Sequence, residues 1–196
     1  GIDPSLYSLA GEVYLHAGDP TKAEEYFAKA LKLDPQDVSK RTALAVTHLA
    51  GSQSAAAFDE LQNIASTDKG ITADLALISA HLRRREFDKA LAAVARLEAK
   101  QPDKPAAANL RGRIHLAQKD SQAARQSFEQ ALKIDPTYFA AVASLATLDM
   151  AEKKPADAKR RFEAVLAINP KNTQALQALA ALAAANGAGK DEVAGL

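Results

Sequence analysis

Apolar residues in this chain recur near i, i+3, i+4 and i+7, the spacing of amphipathic α-helices. The first such stretch carries Leu6, Leu9, Ala10 and Tyr14, and the second Ala23, Phe27, Ala30 and Leu31. Turn residues punctuate the pattern at Gly18-Asp19-Pro20, Gly51-Ser52, Lys119-Asp120 and Lys154-Pro155. Helices are expected to stop at Leu33-Asp34-Pro35, Ile134-Asp135-Pro136 and Ile168-Asn169-Pro170, because proline cannot continue them. No stretch alternates with the period of a strand, so the fold class read from the pattern is all-α.

The pattern also repeats at long range. Gly11, Tyr14, Ala23, Phe27, Ala30 and Pro35 return as Gly112, His115, Ala124, Phe128, Ala131 and Pro136. Intermediate copies keep the small residue (Ala57, Ala90, Ala158) and the large one (Leu61, Val94, Phe162). The spacing is 34 residues throughout, except for one step of 33. This resembles the tetratricopeptide (TPR) signature, whose period implies stacked helix pairs sharing one continuous core. The expectation is a single right-handed superhelical solenoid over 1–196 with eleven to twelve antiparallel helices. Its repeats fall at 4–37, 38–70, 71–104, 105–138 and 139–172, with a partial repeat at 173–196 whose first helix spans 173–186. Alanine, 45 of 196 residues, suits helices packed this closely.

Composition narrows the function classes. A net charge of +1 gives no global field for nucleic acid or membrane. The charge is uneven, however: residues 1–37 carry three basic and seven acidic side chains, and residues 71–172 carry 18 basic and 12 acidic. With no cysteine, disulfides, thiolate metal sites and thiol catalysis are excluded. No apolar segment is long enough to span a bilayer, and no signal peptide is visible. Gly1-Ile2-Asp3-Pro4 resembles the close of a repeat, and Lys190–Leu196 resembles the start of a second helix. The chain is therefore expected to be a piece of a longer array. A last apolar face made by Leu176, Leu179, Ala180 and Leu182 would then need cover from 190–196, a neighbour or a second copy.

The chemical inventory points away from an enzyme and from any cofactor. There is no phosphate-binding glycine loop, H-E-x-x-H element or G-x-S-x-G element. His48, His81 and His115 share the place that Tyr14 holds in the first repeat, and Asp149 holds it in the fifth. A metal on this ladder is disfavoured, because neighbouring first helices lie roughly 8–10 Å apart while Zn–N bonds need about 2.0–2.1 Å. Arg111 and Asp149 break the template with charges on neighbouring first helices. Such charges need partners: Arg111 is expected to pair with Asp149 or with another acid across the repeat interface, the alternative being that it turns into the groove to hold an anionic group.

In TPR arrays first helices line the concave groove. Projection onto this chain places Glu12, His16, Thr42, Val46, Ser79, Arg83, Asn109, Arg113, Thr147 and Met150 along it. The candidate partner-binding set is Arg83, Asn109 and Arg113, with Thr147, Ser79 and Glu12 around them. The three come from adjacent repeats and would converge on a carboxylate or a peptide backbone. The Lys and Asn set that clamps a terminal carboxylate in chaperone-binding TPR domains is absent: Ser8, Glu12, Ala43, Thr72 and Ala76 stand in those places.

A narrower resemblance lies in Ser79–Val94, in Asn109-Leu-Arg-Gly and in Phe128–Ala141. These segments are similar to the bacterial TPR lipoproteins of the PEP-CTERM/exosortase system (PrsT type). The resemblance implies a long array in a Gram-negative envelope, associated with exopolysaccharide production and protein sorting. Its lipid-attachment cysteine would lie upstream. The function expected is a non-enzymatic scaffold that holds a peptide or protein in its groove, in the periplasm or at the outer membrane. Self-association through the array ends is also expected. The alternative is direct exopolysaccharide binding, which the absence of tryptophan makes less favourable.

Overall fold

The computed structural model describes residues 3–50 and 54–185. Among them the chain forms eleven helices and no strand. They are α1 (Pro4–His16), α2 (Pro20–Leu33), α3 (Val38–Ala50), α4 (Ser54–Thr67), α5 (Thr72–Arg83), α6 (Phe87–Lys100), α7 (Ala106–Ala117), α8 (Ser121–Ile134), α9 (Phe139–Ala151), α10 (Pro155–Ile168) and α11 (Thr173–Ala185). The helices α1–α2, α3–α4, α5–α6, α7–α8 and α9–α10 form successive pairs, and α11 follows them. The Gly51-Ser52 turn, residue 186 and the Lys190–Leu196 segment lie outside the described residues.

Local chemistry starts and stops these helices. Asp3, Asp19 and Asp120 accept hydrogen bonds from the backbone N–H groups of Ser5, Lys22 and Ala123, capping α1, α2 and α8. Asn172 does the same for Ala175 at the start of α11. The turn inside a repeat is left-handed: φ is +77° at Gly18, +58° at Arg85, +65° at Lys119 and +60° at Lys153. The next N–H then reaches back into the first helix, from Glu86 to His81 O and from Asp120 to His115 O, both at 2.9 Å.

The chain divides into two compact units, Gly1–Lys100 and Gln101–Leu196. In the first, Phe27, Leu61, Ile64, Leu77, Val94 and Leu97 are buried. In the second, Phe128 packs with Ala108, Ala124, Ala131, Leu145 and Leu148. A further cluster joins Val142, Phe162 and Val165 to Ala175 and Leu179. Leu179 is thus core against α10, with Ala178 and Leu182 packed beside it. Of the face expected to need cover, Leu179 is turned inward against α10, and Leu176, Ala180 and Leu182 are half-buried; the 190–196 segment named as cover lies outside the described residues.

Glycine is required where helices of a pair approach most closely. A Cβ on Gly11 would lie 2.8 Å from the Phe27 ring, and one on Gly112 would lie 2.5 Å from the Phe128 ring. The signature's small–large pairing is therefore a steric contact between those two places.

Candidate functional site

The expected site residues fall in both units. Glu12 lies on α1, and Ser79 and Arg83 lie one helical turn apart on α5, all in the first unit. Asn109 and Arg113 lie one turn apart on α7, and Thr147 lies on α9, in the second. Glu12, Ser79, Arg83, Arg113 and Thr147 are exposed. Asn109 is 6% exposed, and its Oδ1 is buried without a hydrogen-bond partner. Among the other projected residues Thr42 is buried, its hydroxyl donating to Val38 O at 2.7 Å.

The arginines separate into two groups. Of ten in the chain, Arg41 pairs with Glu60, Arg84 with Glu86, Arg96 with Asp74 and Arg160 with Asp157. Arg125 and Arg161 hold Asp149, Arg85 lies over the Phe87 ring, and Arg111 is engaged as well. Arg83 and Arg113 alone have no hydrogen bond, ion pair or ring contact among the described residues. They are the two cations that the sequence placed on the first-helix face.

Glu12 borders a cleft of about 340 Å³ in the first unit, beside Ser5, Ser8, Ser39 and Lys40. Lys40 is paired with Asp37 there. The carboxylate of Glu12 has no partner among the described residues.

Sequence reasoning missed the buried aspartate node at Asp74 and, at Asp149, the two arginines that hold it. Asp74 is fully buried and accepts from Arg96 Nε at 3.2 Å and Lys100 Nζ at 2.6 Å. Lys100 also donates to Ala65 O and Gly70 O, so one ammonium pins α4, the following turn and α5. Asp149 is held by Arg125 at 2.7 Å and Arg161 at 2.5 Å, rather than by the Arg111 suggested by sequence. Burial pushes the Asp149 carboxyl up, but the bonds from Arg161 and Arg125 outweigh it and hold it below the ordinary aspartate value. Bonds from Lys154 and Arg125 bring Glu152 down to about 2.

The histidine ladder is explained by repeat junctions and turns. Glu24 on α2, Phe58 on α4 and Arg125 on α8 occupy one place of the repeat, and each meets the ladder residue of the next repeat. Glu24 Oε1 lies 3.2 Å from His48 Nε2, an ion-pair distance without hydrogen-bond geometry. The Phe58 ring stacks on His81 at 4.8 Å, and Arg125 bonds Asp149. His81 also bonds Glu86 at 2.7 Å, an interaction that lowers the Glu86 pKa, while His115 bonds Gln118 at 3.0 Å. No group of three His, Cys, Asp or Glu able to hold a metal occurs among the described residues.

Phe27, Phe128 and Phe162 are buried, and the other seven Phe and Tyr side chains are half-buried. None of the ten Phe and Tyr side chains is exposed. Tyr14 stacks on Tyr26 at 5.4 Å, with Lys22 over the Tyr14 ring and Lys29 over the Tyr26 ring.

Three family models, all described as tetratricopeptide repeat, match residues 4–37, 75–139 and 115–182. The chain is a tetratricopeptide repeat protein.

Solved structures share the TPR fold. A Pseudomonas aeruginosa PilF structure aligns with a TM-score of 0.66 at 19% identity, over 98% of this chain and 88% of that one. A thermophilic TPR protein of Thermus thermophilus gives 0.61 at 20% identity, over 91% and 98%. A MamA structure gives 0.60 at 21% identity, over 88% and 94%. No curated protein matches the chain. The TPR repeat and the all-helical class stand as the sequence indicated, and a TPR fold is generally that of a non-enzymatic protein-interaction scaffold. No helix among the described residues is long and apolar enough to cross a membrane.

Proposed function

We propose that this TPR protein is a non-enzymatic scaffold that holds an acidic or carboxylate-bearing peptide segment on its first-helix face. Arg83 is the principal contact proposed in the first unit, with Ser79 and Glu12 as further polar groups, and Arg113 is the principal contact proposed in the second, with Thr147. The observation that carries the reading is the absence of any partner for these two guanidiniums among the described residues, in a chain whose other eight arginines are engaged. An exposed, unpaired guanidinium is free to make bidentate bonds to a carboxylate. Asn109 belongs to the same helix face, one turn before Arg113, and takes part only if its closed-off Oδ1 is opened by the ligand. Self-association through the ends of the array is a separate part of the proposal.

The cellular setting we propose is a bacterial envelope, periplasmic or outer-membrane-attached, within an exopolysaccharide or protein-sorting system of the PEP-CTERM type. That setting rests on the sequence resemblance alone. Direct exopolysaccharide binding finds no support in the aromatic residues, since none presents an exposed ring.

The test is a binding measurement with an acidic peptide array, followed by titration of the best peptide. Each charge-assisted bond to a desolvated partner contributes about 1.5–3 kcal/mol. Arg83→Ala combined with Arg113→Ala is expected to weaken binding at least tenfold without changing thermal stability. Unaltered affinity in that variant would move the site elsewhere, and lost stability would make these arginines structural.

A further inference from the structure

A cleft of about 490 Å³ opens in the first unit between α4 and α6, with the end of α5 and the turn after it in the lining. His81, 6% exposed, is part of that lining. Its Nδ1 bonds Glu86 Oε2 at 2.7 Å, and a carboxylate only accepts, so Nδ1 carries the proton. The Phe58 ring stacked on His81 at 4.8 Å holds the imidazole in that orientation. Nε2 has no hydrogen-bond partner among the described residues. Arg96 of α6 lines the same cleft. Its Nε donates to the fully buried Asp74 at 3.2 Å, which fixes the guanidinium, while its two Nη groups have no hydrogen-bond partner among the described residues. Arg84 and Lys89 are the other cations of the lining, and Asp59 and Glu86 are its carboxylates. Glu86 is already bonded by His81 and flanked by Arg84 and Lys89.

The same place of the repeat in the second unit is also a cleft of about 490 Å³, between α8 and α10. There Asp149 stands for His81, Arg125 for Phe58 and Arg160 for Ala92. Its charges close on one another: Asp149 on Arg125 and Arg161, Glu152 on Arg125 and Lys154, and Asp157 on Arg160. The first cleft keeps donors that nothing in its own unit uses. We infer that it binds an organic oxyanion, a carboxylate or a phosphate monoester, with His81 Nε2 and the Arg96 fork as donors. A fixed guanidinium fork gives such a group two parallel bonds. A cleft of this size takes more than the bare anion, and Phe58, Ala55 and Ala92 meet the rest of the ligand. Donation from Nε2 needs the imidazolium, which Glu86 on the other nitrogen favours, so the anion binds together with a proton. The charged groups around the ring are Asp59 on α4, Arg84 and Glu86 on the turn, and Lys89 and Arg96 on α6.

Neither Arg83 nor Arg113 lines this cleft, so the inference does not rest on the peptide reading above. The probes are benzoate and phenyl phosphate, titrated into the full chain carrying isotope-labelled histidine. Saturable binding should shift the His81 Nε2 resonance, and benzoate affinity should rise as the pH falls from about 8 to about 6. The tighter probe identifies the anionic group as carboxylate or phosphate. Ala92→Glu puts a carboxylate one helical turn from Arg96, and Lys89→Glu reverses a charge of the lining. Each should weaken binding at least tenfold and leave the circular-dichroism melt unchanged, since both side chains are exposed. Arg83→Ala combined with Arg113→Ala should bind both probes as the parent does. No binding of either probe, binding that Ala92→Glu leaves intact, or an unmoved His81 resonance overturns the inference. Binding lost in the Arg83 and Arg113 double variant also overturns it, by moving the anion to the first-helix face.

Discussion

Replacing Gly112 with alanine tests whether the repeat signature is a steric contact or a composition habit. The added Cβ would lie 2.5, 2.7 and 2.8 Å from three atoms of the Phe128 ring. Real Cβ contacts do not occur at such distances, so the ring or the helix must move. Phe128 is 0% exposed and boxed in by Ala108, Ala124, Ala131, Leu145 and Leu148, which leaves it little room. Two effects compete. Glycine inside a helix is disfavoured relative to alanine by about 1 kcal/mol, which would make the substitution stabilising. Overpacking a filled core costs roughly 1–3 kcal/mol. Three simultaneous close contacts with a fully buried ring place this case at the upper end. The net expectation is a loss of about 1–2 kcal/mol by urea unfolding, with hydrogen-exchange protection falling in α7 and α8. Adding Phe128→Leu should recover part of the Gly112→Ala loss, since a shorter side chain vacates the space. Ala146 holds the same place on α9 beside Phe162, so Ala146→Gly should instead lose about 1 kcal/mol through helix propensity. A Gly112→Ala protein as stable as its parent, or more stable, would refute the steric reading.

The remaining predictions concern buried polar groups and turns. The Asp149 carboxyl is held below its ordinary value in the folded state. It therefore contributes stability that is present above the unfolded pKa, near 4, and is lost as pH falls through the folded value. Unfolding free energy measured by urea titration should drop below about pH 4. Asp149→Asn should flatten that slope and cost roughly 2–4 kcal/mol at pH 7 by leaving Arg125 and Arg161 without their shared carboxylate; an unchanged acid slope in the variant would contradict the assignment. Asn109 carries a buried acceptor with no partner, a defect worth about 1–3 kcal/mol. Asn109→Leu should therefore leave the melting temperature unchanged or raise it, and a clear fall would mean that the amide has a structural role. Lys119 and Lys153 sit at φ of +65° and +60°, so changing either to glycine should raise stability by about 0.5–1 kcal/mol in thermal unfolding.

The fold was legible because its constraints are local and repeated. Proline after Leu33, Ile134 and Ile168 stops a helix for reasons internal to a few residues. Gly112 against Phe128 is a pair sixteen places apart in sequence that recurs with Gly11 and Phe27, so the period exposes it. The inward turn of Leu179 was not legible because its helix was read as an end. Helical rotation and the packing of α10 decide which side faces the core, and neither appears in a list of apolar residues. Non-glycine residues in the left-handed turns were also invisible, since Arg85, Lys119 and Lys153 look like ordinary surface cations.

The candidate site was legible in a different sense. Register alone put Arg83 and Arg113 on the exposed face of first helices, because every repeat exposes the same side. Register could not show which cations were already engaged. Arg125 and Arg161 carry the same charge as Arg83, yet they belong to Asp149. That pairing depends on the reach of side chains between helices, as does the contact from Glu24, Phe58 and Arg125 to the next repeat's ladder residue. Those junction contacts change chemistry from acid–histidine to aromatic stack to arginine–aspartate while the backbone contact stays the same. A period search weights what is constant and discards what varies. The variable chemistry at a constant place is what makes each junction particular to its own two repeats, and it leaves Arg83 and Arg113 as the arginines with nothing among the described residues to hold.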